Sequence, residues 1–195
     1  MPKRSRTLTS AVLLSSLVLL SLAYGQAQAQ HLPSGTATYL SHDDLMAVKQ
    51  KSADRAVNDT QVAVVDVNRG EYHVAVGIAH RSKESVNSAS GGGIQHSDIT
   101  EVYYIISGEA ILDTGGTIKD LKDLPSAAAG GPSGPTSTGG EIIGGVSKAV
   151  GPGDVIVIPP NTPHRFSRID SAEIVYVLMR PDPHKVLPVM NLIAK

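Results

Sequence analysis

His96-Ser97-Asp98-Ile99-Thr100-Glu101-Val102-Tyr103-Tyr104-Ile105-Ile106-Ser107-Gly108 is the stretch on which the reading of the fold turns. A second stretch, Gly153-Asp154-Val155-Ile156-Val157-Ile158-Pro159-Pro160-Asn161-Thr162-Pro163-His164, answers it more than fifty residues later. Each combines a run of β-branched and aromatic residues with Gly or Pro punctuation, the pattern of a strand bounded by turns. Strand alternation puts Glu101, Tyr103 and Ile105 on one face, with Val102 and Tyr104 on the other. Together the stretches supply two imidazoles and a carboxylate, a common donor set for a divalent metal ion. The expectation is that they fold onto each other inside a small β-structure.

Working outward, further strands follow the same punctuation. Val62–Val67 and Tyr72–His80 flank Asn68-Arg69-Gly70 and predict a hairpin. On its second strand Tyr72, Val74, Val76, Ile78 and His80 form the more apolar set, so His80 is expected to point inwards as a reserve ligand. Strands are also expected at 94–96, 101–107, 110–113, 141–143, 147–150, 154–158, 164–169 and 174–179. On the last of these, Ile174, Tyr176 and Leu178 share a core face. Many short strands between Gly and Pro turns predict an all-β antiparallel sandwich or barrel. Ser41 followed by Asp44 has the form of a capping box, and predicts one short helix over about 42–52 at the N-terminal side. Residues 115–140, rich in Gly, Pro, Ser, Thr and Ala without periodicity, read as a flexible surface loop.

The N-terminus carries Lys3, Arg4 and Arg6, then an apolar run from Ala11 to Ala23, then Ala27-Gln28-Ala29. This is the sequence of a cleaved signal peptide over 1–29, and predicts a secreted or periplasmic protein with no membrane attachment after cleavage. The remaining organisation reads as an N-terminal segment with the helix at 30–60, the β-domain at 61–181 and a C-terminal tail at 182–195.

Composition narrows the chemistry. With no Cys among 195 residues, thiolate metal sites, disulfides and cysteine nucleophiles are excluded, so any metal is held by nitrogen and oxygen. A formal charge of −1 gives no argument for a nucleic-acid or anionic-membrane partner. With no Trp and one Phe, an aromatic stacking platform for sugars or bases has little material beyond six Tyr.

The two stretches resemble the paired motifs of the cupin superfamily, whose fold is a small antiparallel β-barrel or jelly roll. The first family motif ends in His, three or four residues, Glu, six residues, Gly; here His96, Glu101 and Gly108 keep that spacing. In the second, Gly153, Pro159 and His164 match, while Asn161 stands for a Gly and Arg168 for the final Asn. Asn tolerates the left-handed turn that Gly would supply. The resemblance covers residues 62–180. It implies metal ligation by His96, Glu101 and His164, a small-molecule ligand or substrate, and a homodimer paired across strand edges.

One departure matters. The first His of the family's His-x-His pair falls at Ile94, so the usual set of three His and one Glu lacks one imidazole. Fe(II), Mn(II), Zn(II) and Ni(II) are all compatible with the donors that remain. Gln95 alternates away from His96, which leaves His80 as the better fourth donor. Tyr103 is expected beside the metal as an acid/base group or hydrogen-bond donor, and Arg168 as a clamp for a carboxylate. The sequence leaves three functions open: a metal-dependent dioxygenase, isomerase or lyase; a metal or small-molecule binder without turnover; and a scaffold whose site has decayed.

Overall fold

The computed structural model describes residues 36–67, 70–88, 91–125 and 133–193. The expected signal peptide at 1–29 lies outside them. One helix, α1 (His42–Gln50), precedes β1 (Val57–Val67) and β2 (Tyr72–Ser82). A 3-10 turn over Lys83–Asn87 leads to β3 (Ile94–His96), β4 (Glu101–Ser107) and β5 (Ala110–Thr114). Then come β6 (Thr117–Ile118), β7 (Lys122–Asp123), β8 (Thr136–Thr138), β9 (Ile142–Ile143) and β10 (Val146–Val150). The chain continues through β11 (Val155–Ile158), β12 (His164–Ile169), β13 (Glu173–Asp182) and β14 (Met190–Asn191).

These strands make an all-β, antiparallel sandwich of jelly-roll type with one short helix. One sheet runs β11-β4-β13-β2-β1-β14 and the facing sheet runs β10-β5-β12-β3-β8-β7, each with six strands; β6 and β9 form a separate two-stranded ladder. The expected barrel is therefore not closed. Each large sheet keeps its own two edges, and the layers are joined by side-chain packing rather than by a continuous ladder.

The main core lies between the sheets. Ala79, Tyr103, Ile105, Ile158, Ile174, Tyr176 and Leu178 from the first sheet meet Ala110, Leu112, Val150, Phe166 and Ile169 from the second. The alternation read for β4 and for Ile174, Tyr176 and Leu178 holds. The other face of the first sheet is covered by α1, whose Leu45 and Val48 pack on Val62, Ile78 and Val175. Ser41 starts that helix as a capping box: its Oγ accepts from the Asp44 N–H, and Asp44 Oδ2 accepts from the Ser41 N–H.

Two regions carry more order than the sequence suggested. Within 115–140, β8 pairs with β3 through Thr138↔Ile94 and His96↔Thr136, so part of the aperiodic segment belongs to a large sheet. Residues 126–132 lie outside the described set. In the C-terminal tail, Leu187 is fully buried against Val64, Ala75 and Ile99, and β14 adds to the edge of β1.

Candidate metal centre

Two turns bring the motif residues together. β3 ends on His96, and β4 opens on Glu101 after the intervening bend. β12 opens on His164 after a Pro-rich turn in which Asn161 adopts φ 58°, the left-handed conformation expected of it. The Asn161 N–H donates to the His96 carbonyl at 2.7 Å, so the second motif's turn is tied to the first motif's strand. At the far end of β4, Gly108 has φ 89°, and a Cβ there would stand 2.2 Å from the Glu173 carbonyl oxygen. Ile94 is the cross-strand neighbour of His164. The residue at the position expected for a further His thus stands directly beside His164 on the neighbouring strand.

His96, Glu101 and His164 form one buried cluster whose potential donor atoms all lie within 4.8 Å of one another. Glu101 Oε2 is 3.3 Å from His164 Nε2 and 3.6 Å from His96 Nε2. The other ring nitrogens identify the tautomers. His164 Nδ1 is 3.0 Å from the Thr162 carbonyl, which can only accept, so Nδ1 carries the hydrogen. His96 Nδ1 is 2.9 Å from Thr136 Oγ1, whose own hydrogen goes to the Gly134 carbonyl at 2.8 Å, so it too donates from Nδ1. Both Nε2 atoms thus turn to the same carboxylate oxygen, and with the rings neutral their lone pairs would face it directly. A cation placed among them would be held by all three. The two Nε2–Oε2 separations are close to what one ion needs, because donors about 2.0–2.2 Å from it sit about 3–3.5 Å apart. The donor chemistry fits a divalent metal.

The surroundings shift the titration of His96, Glu101 and Tyr103. Burial lowers the His96 pKa to about 4, with Glu101 opposing and His164 and Arg180 adding to the shift. Burial pushes Glu101 upwards, but Arg180, His164 and His96 outweigh it and hold the carboxyl well below the usual range. Tyr103 donates its hydroxyl to Glu101 Oε2 at 2.8 Å. Burial, reinforced by Glu101, raises its pKa well above 10.0, so the phenol stays protonated. In this geometry Tyr103 orients the Glu101 carboxylate.

Two residues expected at the site are elsewhere. His80 shares the face of β2 with Ile78, under α1, because it is Ala75, Gly77 and Ala79 that face the sandwich interior; its Nε2 bonds the Arg55 carbonyl at 2.9 Å. Small side chains can line a packed interior as well as large ones, so the more apolar set was the wrong guide. Arg168 is exposed and pairs with Asp170 at 2.8 Å. A bulge at Ser167 is the cause: β12 matches Phe166 to Leu112 and Arg168 to Ile111, which leaves Ser167 unpaired and turns Arg168 out.

The sequence reading missed Arg180, Asp59 and Thr136. Arg180 is 1% exposed and bonds Glu101 Oε1 through Nε at 2.8 Å. It also binds both oxygens of Asp59 and, at 3.2 Å, Gln61 Oε1. Alternation along β13 carried the signal, since Arg180 continues the Ile174, Tyr176, Leu178 stripe. Thr136 had none, since it reaches His96 only through the pairing of β8 with β3.

No family model and no curated protein matches this sequence. Solved structures similar to it include a protein with a double-stranded β-helix domain from Klebsiella pneumoniae subsp. pneumoniae MGH 78578, at 13% identity and TM-score 0.40, covering 67% of this chain and 79% of that one. Peruvianin-I, a cysteine peptidase from Thevetia peruviana latex, has 11% identity and TM-score 0.39, with 69% of each chain covered. A recombinant oxalate oxidase in complex with glycolate has 14% identity and TM-score 0.41, covering 70% of this chain and 55% of that one. Likenesses this distant carry no activity or ligand across to this chain.

Proposed function

We propose that this chain is an exported cupin-type protein that holds a divalent first-row metal ion through His96 Nε2, His164 Nε2 and Glu101 Oε2, and there binds or transforms a small polar molecule. The observation that carries the reading is the buried convergence of His96 Nε2, His164 Nε2 and Glu101 Oε2, with each ring's Nδ1 already against another oxygen. A bound metal would supply Lewis acidity, polarising a ligand's carbonyl or carboxylate oxygen. The protein's part is to hold the donors. Thr136 and Thr162 orient the two imidazoles, Arg180 and Tyr103 orient Glu101, and burial keeps His96 neutral.

Elemental analysis of the purified mature protein tests this. About one first-row metal per chain, lost in His164→Ala, is the expected result; a metal-free wild-type protein that takes up none of Fe, Mn, Zn or Ni sinks the reading. A second reading, metal or ligand binding without turnover, is favoured by burial, since the three donors are 2–5% exposed. A screen of small carboxylates and phenols separates the two: product formation supports the enzyme, saturable binding alone the binder. Homodimerisation belongs to the same proposal. It is supported by edge strand β11, where Val155 and Val157 are exposed, and a monomeric mass by light scattering would remove it.

A further inference from the structure

Resting on the metal reading above, we propose that Arg180 is a positioning residue that restricts Glu101 to a single donor oxygen and so sets how many coordination positions the protein fills. Two contacts converge on Oε1: Arg180 Nε donates to it at 2.8 Å, and Nη2 lies 2.8 Å from the same atom. Those contacts occupy Oε1. Oε2, held by Tyr103 at 2.8 Å, is the oxygen that faces both imidazoles. Glu101 is thereby a one-oxygen ligand, and the protein contributes three donors in place of four.

The guanidinium is itself fixed from behind. Nη1 reaches Asp59 Oδ1 and Gln61 Oε1, each at 3.2 Å, and Nη2 bonds Asp59 Oδ2. The planar fork thus spans from β1 to the centre and cannot swing away from Oε1 without breaking the Asp59 pair. A structural ion pair would need only a cation near the buried carboxylate; the positioning role rests on both guanidinium nitrogens meeting Oε1, the oxygen turned away from the imidazoles. Lysine, a point charge on a flexible stem, would keep the charge without the fork.

Cobalt(II) is the probe, added to the purified mature protein, because its visible absorption reports coordination number and geometry. Arg180→Gln frees Oε1, so the cobalt spectrum is expected to move towards higher coordination and the affinity to change by about tenfold or more. Arg180→Lys is expected to move the spectrum in the same direction, and Asp59→Asn to move it less. Circular dichroism reports whether each variant folds, and Asp59→Asn decides the matter where the Arg180 variants do not. Folded variants with the wild-type spectrum and affinity overturn the inference while leaving the metal reading intact. A wild-type protein that binds no cobalt overturns the metal reading, and this inference with it.

Discussion

Among the described residues, four buried histidines divide into two regions that differ in what each ring's second nitrogen meets. Between the sheets, His96 and His164 each spend Nδ1 on an oxygen and turn Nε2 towards Glu101. In the first sheet's own surroundings, His73 has both nitrogens against acceptors, Asp66 Oδ1 and the Leu187 carbonyl, each at 2.8 Å. His80 gives Nε2 to the Arg55 carbonyl, and its Nδ1 has no hydrogen-bond partner among the described residues. Residue type and burial are the same in both regions. Ligand capacity is decided by whether a lone pair is left facing other lone pairs, which is a property of the partners.

The comparison breaks most visibly under ligand removal. His96→Ala is expected to weaken zinc binding by more than about 100-fold, beyond the usual loss from an orienting partner. His80→Ala is expected to leave zinc binding unchanged. Calorimetric titration of both variants checks the contrast, and equal losses would erase the distinction between the regions.

A smaller effect tests the orienting hydroxyl. Thr136→Val removes the acceptor for His96 Nδ1–H and is expected to cost about tenfold in zinc affinity, whereas Thr136→Ser retains it. Equal affinities for Val and Ser would mean that strand pairing alone orients the ring.

Acid provides a third test, on the metal-free protein. The His96 pKa falls from 6.5 to about 4 on folding, so between those values the unfolded ring binds a proton that the folded ring refuses. Its contribution to stability is present above pH 6.5 and is lost as pH falls to about 4. Thermal melts across that window should show a falling midpoint, with a shallower slope in His96→Gln. A slope identical to wild type would assign the acid sensitivity to other groups.

The smallest effect is expected at His80→Leu, which removes one hydrogen bond and one unpartnered buried nitrogen together. Stability should stay within about 1.5 kcal/mol of wild type by denaturant titration, since one neutral hydrogen bond contributes about 0.5–1.5 kcal/mol net. A much larger loss would give the Arg55 contact a role that its geometry does not suggest.

How much was legible follows from the range over which each feature is encoded. Strand alternation is local, so the inward face of β4, the core stripe of β13 and the cap at Ser41 were readable residue by residue. The left-handed turn at Asn161 was readable from the motif resemblance, in which Asn161 stands for a Gly. Where a bulge slips the phase, the reading failed: Ser167 turned Arg168 outwards. Where both faces of a strand are covered, hydrophobicity could not say which face was the interior, and His80 was misplaced under α1.

By itself the sequence determined an all-β antiparallel chain, a donor set limited to nitrogen and oxygen, and the identity of His96, Glu101 and His164 as one group. Tertiary structure alone decided that the sheets form an open sandwich, that Thr136 stands against His96 Nδ1, and that Arg180 with Asp59 holds one oxygen of Glu101. The reason is physical. Side-chain period and turn chemistry act over a few residues and leave their mark in order, whereas the partner of a buried polar atom is chosen by which strands lie side by side.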